Sequence, residues 1–115
     1  MIRFALVATV STLLIAGCGE DDKPTTGYVR LTNAMAIRDI TYFKYKSHDV
    51  LSWSGAPDLI ATGSFLPAGG SHDFELPCGV RFDFAAGSYA GLFGEVQFTD
   101  HVVPCGGRLE LRVTD

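Results

Sequence analysis

Positive charge is scarce in this chain of 115 residues: 9 Lys and Arg stand against 13 Asp and Glu, a net charge of −4. That balance argues against nucleic acid and against an anionic membrane surface as partners, since both demand a basic patch. Long hydrophobic runs are also scarce. The one long uncharged apolar stretch, Phe4 to Ala16, is too short for the roughly 20 residues a spanning helix needs. Cysteine occurs three times and never as Cys-x-x-Cys, which removes the usual dithiol redox centre and closely spaced zinc ligands. Gly-x-Ser-x-Gly is missing, and the consecutive Ser71-His72-Asp73 cannot adopt the relay geometry of a hydrolase triad. Gly87 to Gly94 is glycine-rich but lacks the Lys-Ser/Thr ending of a phosphate-binding loop. Asp39, Asp58 and Asp83 are too scattered to pair as acid and base. No catalytic pattern and no cofactor signature emerge, and the expectation is a protein that is not an enzyme.

What is present begins at the N-terminus. Arg3 precedes an apolar core of signal-peptide length, which ends in the small residues Ala16 and Gly17 before Cys18. Leu14-Ile15-Ala16-Gly17-Cys18 resembles the lipobox of bacterial lipoprotein precursors. The resemblance implies cleavage ahead of Cys18, a diacylglyceryl group on its thiol and commonly a further acyl chain on the new amino terminus. Two or three chains hold firmly, since each buried methylene contributes about 0.8 kcal/mol. Gly19 follows the cysteine where an Asp would signal inner-membrane retention, so the resemblance implies an outer-membrane lipoprotein facing the periplasm or the cell surface. Its contact with the membrane is then through the lipid on Cys18. Cleavage removes Arg3 alone among charged residues, leaving a net charge of −5.

With residues 1–17 as signal peptide, residues 18–27 read as a polar, lipidated tether with an end-to-end distance of roughly 15–18 Å. Residues 28–115 then form one domain. Cys78 and Cys105 remain to pair, and an exported chain meets an oxidising compartment where a disulfide persists. Both sit in similar turns, Pro77-Cys78-Gly79 and Pro104-Cys105-Gly106.

Period-two alternation predicts strands at Tyr28–Thr32, Ile37–Lys46, His72–Leu76, Val80–Phe84, Val96–Phe98 and Arg108–Thr114. Short apolar segments at Val50–Trp53 and Leu59–Thr62 lie between turn signals, and Ala85–Gly94 reads as a loose connection. Such spacing predicts an all-β fold, a small antiparallel sandwich of immunoglobulin style with one disulfide. The series Trp53…Leu59-Ile60…Leu66-Pro67…Gly69…Phe74…Phe82-Asp83-Phe84 resembles small secreted bacterial β-sandwich domains, departing at Ser54 and at Phe82.

Two sets of residues carry candidate chemistry. Trp53 with Tyr42, Tyr45 and Tyr89 forms a candidate aromatic platform for a glycan or protein, the competing reading being core packing for Trp53 and cross-strand pairing for the tyrosines. His48, His72 and His101 each adjoin an aspartate, so a metal site follows only if their three turns meet. The leading expectation is a non-catalytic envelope lipoprotein that binds a protein or glycan through loops 47–58 and 85–94. A metal-dependent protein using the three histidines is the alternative, and a plain spacer the third.

Overall fold

Alternating apolar and polar side chains favour extended backbone, because only a strand sends successive residues to opposite faces. A computed structural model of the protein describes residues 23–115, and six segments of this kind form its strands. They are β1 (Thr26–Asn33), β2 (Tyr42–Ser47), β3 (Ser71–Pro77), β4 (Arg81–Gly87), β5 (Val96–Val102) and β6 (Arg108–Val113). No helix occurs among the described residues.

The strands make two three-stranded sheets, ordered β3-β1-β6 and β2-β4-β5. β1 runs antiparallel to β3 but parallel to β6, so the wholly antiparallel sandwich expected from the sequence is corrected at this pair. A parallel pair needs a long crossover. Here the connection is everything between them, since the first and last strands of the described residues are the partners.

One core joins the sheets. Val29, Leu31, Leu76, Leu111 and Val113 come from the first sheet, and Phe43, Phe82, Phe84 and Ala86 from the second. Phe43 lies at the join, its ring 5.5 Å from Phe84 and 5.4 Å from Phe74. Asn33 is fully buried where β1 ends, and every polar atom of its side chain is used. Its amide donates to the carbonyls of Arg38 and Leu66, and its oxygen accepts from the N–H of Met35.

Those bonds curl residues 34–39 into a loop, which shortens the strand expected over Ile37–Lys46. β2 begins only at Tyr42, and Ile37 is 84% exposed. Ile40 is buried, bridging Leu66. Residues 57–59 lie along the outer edge of β2 through Leu59 N–H to Phe43 O and Tyr45 N–H to Pro57 O. An edge that would otherwise invite another chain is thereby covered. The apolar segment Val50–Trp53 does not enter the core: Leu51 is 95% exposed, and Trp53 lies outside the buried cluster. Val80, which alternation over Val80–Phe84 sets on the inward side with Phe82 and Phe84, is also exposed. Ala85 to Gly87 continue β4 and do not form a loose connection.

At one end, which we term the entry pole, β1 starts between the two cysteine turns. Cys78 N–H donates to Thr25 O, and Gly106 N–H to Thr26 O. Gly27, expected in the flexible tether, is a buried strand residue instead. A Cβ there would strike the Pro104 carbonyl and lie 2.9 Å from Val103 Cγ1, so only glycine passes beneath this turn. Cys78 and Cys105 are disulfide-bonded, with Cα atoms 4.8 Å apart. The opposite, distal pole holds the end of β1, the starts of β2, β3 and β5, and the ends of β4 and β6.

The bridge closes a loop across 27 residues, which should stabilise the fold by about 3–4 kcal/mol through the entropy it removes from the unfolded chain. The double variant Cys78→Ala/Cys105→Ala should lower the urea unfolding free energy by that amount; an unchanged midpoint would refute the assignment of stability to this staple.

Candidate functional site

The second sheet carries its chemistry on the face turned away from the core. β4 is the middle strand, and on this outer face it presents small or short side chains, Asp83, Ala85 and Gly87. Their cross-strand partners on β2 are long: Lys46, Lys44 and Tyr42 respectively. Long side chains thus stand beside short ones, and both faces of β4 are buried although, among the described residues, one has no second sheet against it. At Gly87 the fit is tight. A Cβ would meet the Tyr42 ring, so the glycine lets the ring lie flat across the strand.

Asp83 is the polar centre of the half nearer the entry pole. It is 8% exposed and lies within bonding distance of three groups. Lys46 Nζ donates to Oδ2 at 2.7 Å, the Asp100 N–H donates to Oδ1 at 2.8 Å, and His48 Nδ1 lies 2.8 Å from Oδ1. Burial alone would raise this carboxyl. The bonds from Lys46, His48 and the Asp100 backbone together outweigh it and hold the group well below the usual carboxylate range. Lys46 also donates to Val50 O, fastening the 48–57 loop to the sheet. Asp100 sits at φ 63°, in the irregularity where β4 and β5 shift register, and its carboxylate forks with Arg81 at 2.6 Å.

The distal half is aromatic. Tyr42 and Tyr89 have ring centroids 4.9 Å apart, and the Lys44 ammonium lies over both, 5.2 and 5.6 Å from the centroids. Their hydroxyls point to separate carboxylates: Tyr42 donates to Glu95 at 2.7 Å and Tyr89 to Asp58 at 2.9 Å. Burial and the Glu95 bond raise the Tyr42 phenol well above its ordinary value. The Asp58 bond chiefly raises that of Tyr89. Both phenols therefore stay neutral donors. Bonds from Gln97 and then Tyr42 lower the Glu95 carboxyl.

Asp58 also fixes the backbone beneath, accepting from the N–H of Phe43 and of Ile60. The Tyr89 N–H donates to Thr41 Oγ1 at 2.8 Å. Tyr89 is thus tied at both ends while 67% exposed. It borders a cleft of about 500 Å³ between residues 39–41, 62–65 and 89–90. A smaller cavity of about 250 Å³ lies on the other side of Ser64 and Phe65, between Leu59–Leu66 and the β3 residues His72 and Phe74.

The four aromatic residues singled out from the sequence are therefore divided. Tyr42 and Tyr89 meet; Trp53 is set apart beneath the Lys46 ammonium, 5.0 Å from its ring. Tyr45 faces inward with its ring edge against Phe82, at 5.6 Å. Period two requires that split, because Tyr42 and Tyr45 are an odd number of strand residues apart. The three histidines are also separated by environment: His48 on Asp83, His72 against Phe74 in the first sheet, and His101 against Phe98 on β5. Among the described residues no three His, Cys, Asp or Glu side chains are grouped to hold a metal ion. Cys18 lies outside the described residues.

Asp83, Asp58 and the cleft residues Asp39, Thr41, Thr62 and Ser64 were not anticipated as a site. Asp83 had a signal, a carboxylate between two core phenylalanines opposite a strand with two outward lysines. Asp58 had one too, following Pro57 at a turn where an Asp side chain bonds backbone two residues on.

No protein-family pattern matches the chain, and no curated protein matches it. Among solved structures, the NMR structure of a protein from Eubacterium rectale is similar, with a TM-score of 0.51, 16% identity and 86% of each chain covered. At that identity the likeness is one of fold.

Because the folded-state pKa of Asp83 is lowered, its stabilising contribution is complete above the unfolded carboxyl value near 4 and is lost as pH falls towards the folded value. Asp83→Asn should therefore cost about 3 kcal/mol at neutral pH by stranding the buried Lys46 charge. The gap from wild type should narrow below about pH 4. Chemical unfolding at several pH values measures both, and a gap that stays constant with pH would refute the carboxylate's role.

Proposed function

We propose that the protein is a lipid-anchored lipoprotein of the cell envelope, held in the outer membrane through Cys18, whose small immunoglobulin-style sandwich binds a partner without catalysis. One observation carries this reading: the chain enters the domain at one pole, and the tyrosine pair, with Tyr89 exposed beside its cleft, lies at the other. β4 spans the two, with Arg81 next to the cysteine turns and Gly87 under Tyr42, a separation of roughly 20 Å. A tether running from Cys18 to the start of β1 would present the distal pole away from the lipid surface.

The chemistry of the distal pole supports binding. Tyr42 and Tyr89 are rigidly held, and rigid aromatic side chains give contact area at little entropic cost on association. The polar groups around them serve to hold them: Glu95 and Asp58 accept from the two hydroxyls, and Lys44 lies over both rings. Trp53 is a secondary contact on the same face, in loop 47–58.

Mass spectrometry of the mature N-terminal peptide should find Cys18 acylated and first in the chain, with Cys18→Ser lacking both acylation and membrane association. A pull-down from membrane extract with the intact protein should capture a partner, protein or glycan, that is lost when loop residues 88–94 are replaced by Gly-Ser, a change that leaves β4 intact. An unmodified Cys18 would sink the anchor, and capture indifferent to that loop would sink the distal binding surface.

A further inference from the structure

We propose that the cleft beside Tyr89 is a binding site for a neutral carbohydrate, a single sugar or the end of a short glycan. The proposal rests on the binding reading above and names its ligand class.

A sugar ring presents two kinds of surface, an apolar face of C–H groups and a rim of hydroxyls. A receptor must match both: an aromatic face to cover the first, and polar atoms free to exchange hydrogen bonds with the second. The cleft supplies this pairing. Tyr89 forms one side, and its ring is held by the Asp58 bond at its hydroxyl and by its own N–H to Thr41. Fixed in this way, the ring loses little freedom when a ligand covers it. Phe65, 56% exposed, supplies a second aromatic side chain to the same cleft.

The polar requirement is met by Asp39, Thr41, Thr62 and Ser64. Thr41 Oγ1 accepts from Tyr89 N–H and keeps its own proton to donate. The side-chain oxygens of Asp39, Thr62 and Ser64 have no side-chain or backbone partner among the described residues, leaving two hydroxyls and a carboxylate free for a ligand. The volume, about 500 Å³, falls within the range of small-ligand sites and suits one or two sugar rings.

Charge narrows the class further. Among the described residues Asp39 is the one charged side chain lining the cleft, and Lys44, over the Tyr89 ring, is not part of that lining. An anionic ligand would meet an uncompensated carboxylate, and a metal ion would find a single one where it needs several. A peptide strand would seek a row of backbone donors and acceptors at a sheet edge, whereas this cleft is built from loops.

The test uses the full-length acylated chain, ¹⁵N-labelled, in micelles of a detergent that is not itself a glycoside. It is titrated with glucose, galactose, mannose, N-acetylglucosamine and their common disaccharides while amide shifts are followed. At least one sugar should shift Thr41, Thr62, Ser64 and Tyr89 saturably and leave the turns around Cys78 and Cys105 unmoved. Tyr89→Ala should weaken that binding about tenfold or more, Asp39→Ala should weaken it independently of the ring, and Val80→Ala, an exposed position beside the Cys78 turn at the entry pole, should leave it unchanged. The spectrum of each variant reports whether it is folded. No sugar shifting the cleft, or shifts that persist in Tyr89→Ala, would overturn the proposal. Tyr89-dependent capture of an envelope protein with no response to any sugar would also overturn it, while leaving the tethered binding module standing. Sugar binding by a chain whose Cys18 is unmodified would support the site and remove the anchor.

Discussion

A carboxylate with almost no access to water organises the outer face of the second sheet. Asp83 occupies the middle strand, where period two places it opposite the core side of Phe82 and Phe84, and among the described residues no second sheet covers that side. Burial of a lone charge would be prohibitive there. Lys46, His48 and the Asp100 backbone make it tolerable, and each belongs to a different element: β2, the turn after it, and β5. One side chain therefore ties three pieces of chain that the apolar core does not specify. The register that sets Lys46 against Asp83 also sets Lys44 against Ala85 and Tyr42 against Gly87. The aromatic platform at the distal end follows from the same alignment as the ion pair at the other.

The all-β class, the positions of most strands, the cysteine pair, the inward face of β3 and the inward Phe82 and Phe84 of β4 were legible from alternation and from Pro-Cys-Gly turns. Local pattern failed where a distant partner decided the outcome. Ile37 looks like the start of a strand, but the Asn33 side chain coils the next residues through bonds that no periodicity encodes. Gly27 looks like tether until the Pro104 turn is seen lying on it. Val50, Leu51 and Trp53 look like core by composition, yet Lys46 draws their loop onto the outer face. The parallel pairing of β1 with β6 depends on closing the whole chain, which no short window contains.

The candidate site was legible in its residue types more than in its grouping. Tyr42 and Tyr89 are 47 positions apart and meet because Gly87 leaves room for one ring and the Thr41 hydroxyl holds the backbone of the other. Tyr45 belongs to the core by strand parity, which could have been read directly from the alternation around Phe43. The polar cleft residues were invisible because threonine, serine and aspartate in loops are what any loop contains.

β1 is the centre of its sheet, hydrogen-bonded to antiparallel β3 on one side and to parallel β6 on the other. Its first residue lies at the entry pole, and the last residue of β6 lies at the distal pole. Tension between those two ends acts along the strand axes in opposite directions. The bonds of the β1–β6 pair then bear the load together, in shear, and are not opened one after another as in a zipper. With the entry point also clasped between two disulfide-linked turns, the domain is built to be pulled from its N-terminus without unravelling from that end.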